Sequence, residues 1–160
     1  MDEATAAELR ALVRAQPVAA LGTLHVTRDG VEPFVSMVPV AWLPGPQAVI
    51  HVSALAPHTR DLEQDPRVSL MLTAEAGPDD NPQARARLTL QARAVELARG
   101  SDAWAAAQAA YLERFARAEQ TFALADFRLV ALQPVSARFV AGFGRAHGLN
   151  VGALAAVWVA

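Results

Sequence analysis

Short turns, rather than helices, separate the first β-rich segments of this chain, and this pattern constrains its fold more than any other feature. Residues 18–26 and 31–43 are two such segments. Residues 27–30 between them are typical of a hairpin turn in which Gly30 adopts a positive φ. Strands joined in this way run antiparallel, whereas a parallel α/β sheet needs a helix after most strands. The sequence therefore predicts an antiparallel barrel with helices at its ends.

Capping residues and prolines define where the other elements begin and bend. Ser101 or Asp102 is expected to cap the clearest helix, and Thr59 is a candidate N-cap of a short helix. Pro33 and Pro39 indicate an edge or a bent strand. We expect helices at residues 3–15, within 54–66 and at 101–118, strands at 48–53, 67–74 and 85–98, two strands around Pro134 within 126–144, and a polar loop at 76–83.

Composition excludes several classes of function. The chain has no cysteine, so disulfides, thiolate chemistry and cysteine-ligated zinc are excluded. Its formal net charge of −2 does not provide the basic surface that nucleic-acid binding needs, so we expect no nucleic-acid partner. The histidines are scattered, so no metal site is expected. His25 and His51 fall within strands, where a hydrogen-bonded structural role is the expectation.

Neither end of the sequence predicts export or membrane insertion. Residues 1–16 lack the basic segment and apolar core of a signal peptide. The apolar segment at residues 148–160 is shorter than the ~20 residues that a membrane helix needs. We therefore expect a cytoplasmic protein with no membrane partner.

The segment between the third and fourth strands carries the best candidate for a binding site. Ser53, His58, Thr59 and Arg60 bring hydroxyl and basic groups to a strand end and a helix start. Free N–H groups and the dipole at such a helix terminus favour an anion, and Arg60 could add a bidentate phosphate contact. An ordinary capped helix with surface charges explains the same residues, so both interpretations stay open.

Two other strands carry weaker signals. Ser36 is expected to share a strand face with Val38, with Met37 on the opposite face. A buried serine bonded to the backbone is the simplest interpretation of Ser36. On the fifth strand, alternate arginines share a face that is either solvated or meets an anionic ligand or a partner chain. These arginines are Arg85, Arg87 and Arg93.

Residues 51–72 (HVSALAPHTRDLEQDPRVSLML) resemble the third strand, phosphate-binding loop, short helix and fourth strand of the pyridoxamine-phosphate-oxidase-like split barrels. Residues 33–42 resemble the preceding strand of that superfamily. The similarity runs over residues 5–149, with later segments closest to the haem-utilisation branch and its uncharacterised relatives. These later segments are residues 126–132 and 139–149, whereas residues 87–94 resemble the strand that follows in the superfamily as a whole.

The resemblance implies a mainly β (α+β) fold, a six- to seven-stranded antiparallel split β-barrel of Greek-key type with flanking helices, in one domain covering residues 1–160. It further implies a homodimer with FMN in the cleft between the subunits. Ser36, Met37 and Val38 would then face the flavin ring. The residues implied at the phosphate end are Ser53, His58, Thr59 and Arg60, with Arg87 as a weaker candidate.

Three functions remain open at this point. The first is an FMN-dependent oxidoreductase that acts on a small molecule without a catalytic side chain. Pro57 and His58 stand where pyridoxamine-phosphate oxidases carry an Arg-Lys pair, so that oxidation itself is not expected. The second is haem binding or degradation, since Asp126 matches an Asp-Phe motif of the haem branch. The third is a non-catalytic binding protein. The apolar C-terminal segment is expected to cover the partner barrel.

Overall fold

A computed structural model describes residues 1–77 and 81–159, so residues 78–80 of the expected polar loop lie outside the described part. The strands are β1 (Val18–Thr27), β2 (Gly30–Pro39), β3 (Ala41–Trp42), β4 (Ala48–Ser53), β5 (Arg67–Thr73), β6 (Arg87–Glu96), β7 (Phe127–Gly142) and β8 (Arg145–Asn150). The helices are α1 (Glu3–Ala15), α2 (Pro57–Gln64), α3 (Asp102–Arg114), α4 (Glu119–Phe122) and α5 (Val151–Val159), with a 3₁₀ turn at Ala116–Ala118.

The strands form one antiparallel sheet in the order β2-β1-β5-β6-β7-β4-β3, and β8 pairs with β7. The predicted fold class, mainly antiparallel β with flanking helices, is confirmed. Strand β2 lies at an end of this order, so Pro33 and Pro39 occupy an edge strand as predicted. An edge tolerates proline because one side of the strand needs no ladder hydrogen bond. Gly30 has φ 137°, which confirms the predicted turn.

Two expectations about the strands are wrong. The pair expected around Pro134 is the single long strand β7, and the prediction also missed β8. The ladder pairs Gln91 with Ser136 but Ala92 with Pro134, so Val135 is an extra residue at a bulge. A bulge interrupts the regular ladder of hydrogen bonds, so a strand tolerates there a proline, which has no backbone N–H to donate. The strand can therefore continue through Pro134. With β3 separate from β2, the sheet has eight strands rather than six or seven.

One of the two predicted helix caps is confirmed and the other is wrong. Ser101 caps α3, because its Oγ accepts a hydrogen bond of 3.1 Å from the backbone N–H of Trp104. Thr59, in contrast, is not an N-cap: α2 begins at Pro57, with Ala56 at the cap position. Proline is favoured at the first position of a helix because the N–H it lacks would have no helical partner there.

The C-terminal segment forms α5 and packs on its own chain. Leu154 is fully buried and Val157 nearly so, both within the main hydrophobic cluster under the sheet. Arg10 on α1 also donates a hydrogen bond of 2.9 Å to the carbonyl oxygen of Val157. The buried side chains of this segment therefore complete the core of the same chain, and the expectation that it also covers a partner barrel stays a prediction. Among the described residues, no helix has both the length and the apolarity to cross a membrane.

Candidate functional site

A buried carboxylate joins α2 to the first strand. Asp61 accepts a hydrogen bond of 2.7 Å from Oγ1 of Thr23, and its other oxygen lies 2.7 Å from Nδ1 of His25. The Asp61 side chain is 2% exposed, whereas that of His25 is 43% exposed. An ionised carboxylate only accepts hydrogen bonds, so the proton of this contact belongs to Nδ1 of His25. A neutral His25 ring would then carry its free lone pair on Nε2.

A second contact joins α2 to the edge strand. Nδ1 of His58 lies 3.1 Å from Oγ of Ser36, and both side chains are partly buried. Burial lowers the pKa of His58 below its ordinary value, and the nearby Asp61 carboxylate opposes that shift. His58 is consequently a neutral, hydrogen-bonding imidazole at pH 7 rather than a cation.

A third contact joins α2 to the end of β4. The buried hydroxyl of Thr59 donates a hydrogen bond of 2.6 Å to the carbonyl oxygen of Ser53. The Ser53 hydroxyl donates in turn to the carboxylate of Asp126 at 2.7 Å. Ser53 and Thr59 therefore lie together, as predicted, but their hydroxyls are already bonded to groups of the chain itself.

The start of α2 fits a phosphate poorly. The backbone N–H groups of Leu55, Ala56 and Thr59 are bonded within the turn, and Pro57 has none. The Asp126 carboxylate lies at the same place, where it would repel a phosphate. With a neutral imidazole and few free N–H donors, this end of the helix offers an anion little besides the exposed side chain of Arg60.

The two arginines predicted to contact the phosphate, Arg60 and Arg87, do not lie together. Arg60 is exposed on α2. Arg87 begins β6 and pairs with Thr73, the last residue of β5, whereas α2 leads into the first residue of that strand. Its guanidinium donates to the carbonyl oxygens of Gln83 and Arg85. The structure therefore does not bring Arg87 to α2, and its role toward a cofactor stays a prediction.

The three residues expected to face a flavin ring do not share a face. Val38 is 3% exposed and lies in the main core, and Ser36 points the same way toward α2. Met37 is 70% exposed on the opposite face, where it aligns with Ala20 of β1. A flat ring could meet Met37 or Ser36 from outside the chain, but it could not meet all three residues at once.

Comparison with known proteins places this fold. A family model described as pyridoxamine 5'-phosphate oxidase matches residues 5–141. The chain belongs to this family. The resemblance inferred from residues 51–72 is therefore confirmed.

Similar members of this family include haem proteins. The structure titled as a haem-binding protein from Mycobacterium smegmatis has a TM-score of 0.83 and 34% identity, over 95% of this chain and 60% of that chain. The haem oxygenase HutZ of Vibrio cholerae is 38% identical over 100 residues, which cover 62% of this chain and 57% of HutZ. This chain therefore spans less than two thirds of either protein.

Two further solved structures extend the comparison. A crystal structure of Vibrio cholerae HutZ, titled as a haem storage protein, has a TM-score of 0.68 and 32% identity, over 80% of this chain and 88% of that chain. Campylobacter jejuni ChuZ has a TM-score of 0.79 over 97% of this chain and 63% of that chain. At 22% identity, the likeness to ChuZ concerns the fold alone.

Sequence reasoning identified one half of the site in this family member and missed the other. It grouped Ser53 with Thr59, and the structure brings these two residues into contact. Ser36, which was expected at the flavin ring and not at the phosphate end, contacts His58 instead. It did not select Thr23 or Asp61, although Thr23 and His25 are two apart on β1 and must share a face. The signal available in the sequence was two polar residues on one face of β1, together with an aspartate, Asp61, on the short helix expected near by.

His51 has the structural role that was expected. It is 8% exposed and stacks on Phe122 with ring centroids 3.9 Å apart. Its Nδ1 lies 3.3 Å from the hydroxyl of Thr121. Burial, with a smaller effect from Arg99, lowers the pKa of His51 to about 4. Within the described residues, no group of three or more His, Asp or Glu side chains could hold a metal ion.

Proposed function

We propose that this chain binds haem and that His25 ligates its iron. The observation that carries this proposal is the contact between Nδ1 of His25 and the buried Asp61 carboxylate. Histidines that ligate metals almost always bond their other ring nitrogen to such a group, which fixes the tautomer and orients the ring. The half-exposed His25 ring leaves Nε2 for a ligand that arrives from outside.

The surroundings of His25 support a flat, apolar ligand. The Phe34 ring lies beside the imidazole, with centroids 5.7 Å apart, and Phe34 is itself partly exposed. Thr23 holds the second oxygen of Asp61, so the carboxylate cannot turn away from His25 without losing a buried hydrogen bond. Bound haem would supply an iron centre with a position open to a small molecule.

The relatives support the same ligand. The mycobacterial neighbour is titled a haem-binding protein, and the Vibrio cholerae relative is named a haem oxygenase. FMN is the second candidate, favoured by membership of the family, with Ser36 and His58 as its polar contacts. The engaged donors at the start of α2 and the Asp126 carboxylate disfavour the phosphate of FMN.

A homodimer completes this proposal. The outward face of the first strands is rich in exposed apolar side chains, and apolar patches of this kind mark interaction surfaces. Val35 is 65% exposed and Met37 is 70% exposed, and Met71 of β5 continues the same row across Ala20. We expect a second copy of this chain to cover this surface, which we call the β1–β2 face.

Titration with haemin tests the assignment. We expect the wild-type chain to give a saturable Soret band at one haem per chain. His25→Ala should weaken the affinity at least tenfold and change the band position, because the proposed ligand of the iron would be lost. His147→Ala is the matched control and should behave as wild type, since His147 lies on β8, away from α2.

Parallel titration with FMN separates the two candidates. Quenching of FMN fluorescence with no Soret change would favour the flavin and overturn the haem proposal. Equal haemin affinity of the His25→Ala and wild-type proteins would overturn the assignment of the ligand. Circular dichroism of each variant checks that the fold is kept.

A further inference from the structure

One cavity lies away from α2. It has a volume of about 800 Å³ and lies between α1, the turn after β3, α3 and the end of α5. Val13, Ala41 and Leu43 contribute apolar walls, and Trp42 and Trp158 contribute two aromatic rings. No residue of α2 or of β1 is found among its lining residues. The cavity is therefore separate from the site described above.

The polar groups of this cavity are mainly cationic. Arg10, Arg14 and Arg114 line it, against the single carboxylate of Glu113. Arg10 is paired with Glu3 outside the lining. Within residues 1–77 and 81–159, no ion pair or hydrogen bond of the Arg14 side chain is found. The cavity consequently carries an excess of positive charge.

Two buried donors of the lining residues also lack acceptors. The Nε1 atom of Trp42 and the Nε atom of Arg114 are both shielded from water and have no hydrogen-bond partner in the described part of the chain. Arg114 is otherwise fixed, because its terminal nitrogen donates to the carbonyl oxygens of Arg14 and Gln16. Because water does not reach either atom, neither donor is open to a ligand in the cavity, and the polar contacts available to a ligand are the arginine side chains of the lining.

The two tryptophans define the apolar part of the site. Their rings lie 5.5 Å apart, with planes inclined by 37°. A ligand that contacts both rings must present an apolar surface to them, and the arginines of the lining favour an anionic group at its other end. The volume falls within the usual range of small-molecule sites.

We propose that this cavity binds a small amphipathic carboxylate, with its apolar body against Trp42 and Trp158 and its carboxylate toward Arg14 and Arg114. Octanoate serves as the probe and 1-octanol as its uncharged counterpart. The chain has three tryptophans, so Trp104→Phe leaves only the two that line the cavity. Octanoate should change their fluorescence saturably, and 1-octanol should bind at least tenfold more weakly.

Matched variants locate the probe. Ala109 lines the cavity and is exposed on α3, so Ala109→Leu should fill space without disturbing the fold, whereas Ala105→Leu on the same helix lies outside the lining. Arg14→Gln removes a lining charge, and Arg28→Gln removes an exposed charge in the first hairpin turn. Ala109→Leu and Arg14→Gln should each weaken octanoate at least tenfold, and their controls should not.

Three results would overturn the proposal. The first is equal affinity for octanoate and 1-octanol, which would remove the role of the charge. The second is unchanged binding in both Ala109→Leu and Arg14→Gln. The third is displacement of octanoate by equimolar haemin, which would make the cavity part of the haem site. A circular dichroism spectrum that matches that of the wild type and an unchanged Tm verify that each variant is folded.

Discussion

Nδ1 of His25 and Oδ1 of Asp61 lie 2.7 Å apart, and they connect a half-exposed ring to a carboxylate that water hardly reaches. The pair spans 36 residues of sequence and joins β1 to α2. A buried acceptor of this kind fixes the tautomer and the orientation of the imidazole. Its contribution to ligand binding is open to direct measurement.

Asp61→Asn should weaken haemin binding by about 10- to 100-fold, the usual cost of removing a group that orients a metal ligand. The amide keeps the size of the side chain but removes the charge that holds Nδ1. Soret titration measures the change. Asp65→Asn is the matched control, because Asp65 follows the last residue of α2 and pairs with Arg67 rather than with a histidine. An equal loss of affinity in both variants would contradict a specific role for Asp61.

Acid should destabilise the fold through His51. The folded state lowers the pKa of this buried imidazole from 6.5 to about 4, so the unfolded chain binds more protons between these values. The contribution of His51 is complete above about pH 6.5. It falls as the pH drops toward 4, by up to about 3 kcal/mol at roughly 1.4 kcal/mol per pKa unit.

Urea unfolding at several pH values checks this prediction. His51→Phe keeps a ring against Phe122 and should flatten the stability curve between pH 4 and 6.5. His147→Phe should keep the wild-type slope. A slope that survives in His51→Phe would show that other groups cause the acid sensitivity.

Charges on the β1–β2 face should dissociate the proposed dimer. The double substitution Val35→Glu with Met37→Glu places two carboxylates on strongly exposed apolar positions. Sedimentation velocity should then report a monomer with an unchanged circular dichroism spectrum. Leu124→Glu, at an exposed apolar position before β7, should leave the assembly intact. A wild-type chain that sediments as a monomer would end the dimer proposal.

Removal of a buried side chain from α5 should destabilise the fold itself. Leu154→Ala should cost about 2–5 kcal/mol, the range observed for buried leucines. Val151→Ala on the same helix should cost under about 0.5 kcal/mol, because Val151 is 44% exposed. Denaturant unfolding measures both values. Dissociation of a dimer without any loss of unfolding free energy would instead assign α5 to a subunit contact.

The sequence predicted the antiparallel fold because its evidence is local. A turn with Gly30 fixes the first hairpin, and Ser101 fixes the start of α3. The length of β7 was not predictable in this way. A proline ends most central strands. Strand β7 continues through Pro134 because Pro134 pairs with Ala92 next to a bulge, and this pairing is not visible in the local sequence.

The site was predicted less completely because its contacts are remote in sequence. Thr23 and Asp61 lie 38 residues apart, and Ser36 and His58 lie 22 apart. No periodicity within one element reveals such a pair. The C-terminal segment shows the same limit, since its residues are apolar all round. A pattern without a polar face does not indicate which surface the helix covers.

Helix α2 is attached to β1, β2 and β4 by Asp61, His58 and Thr59 respectively. A ligand bound at any one of these three contacts should therefore also restrain the helix, and through the helix the other two strands. A molecule that binds His25 should slow amide hydrogen exchange not only in β1 but also in the last residues of β4, because these residues contact the same helix.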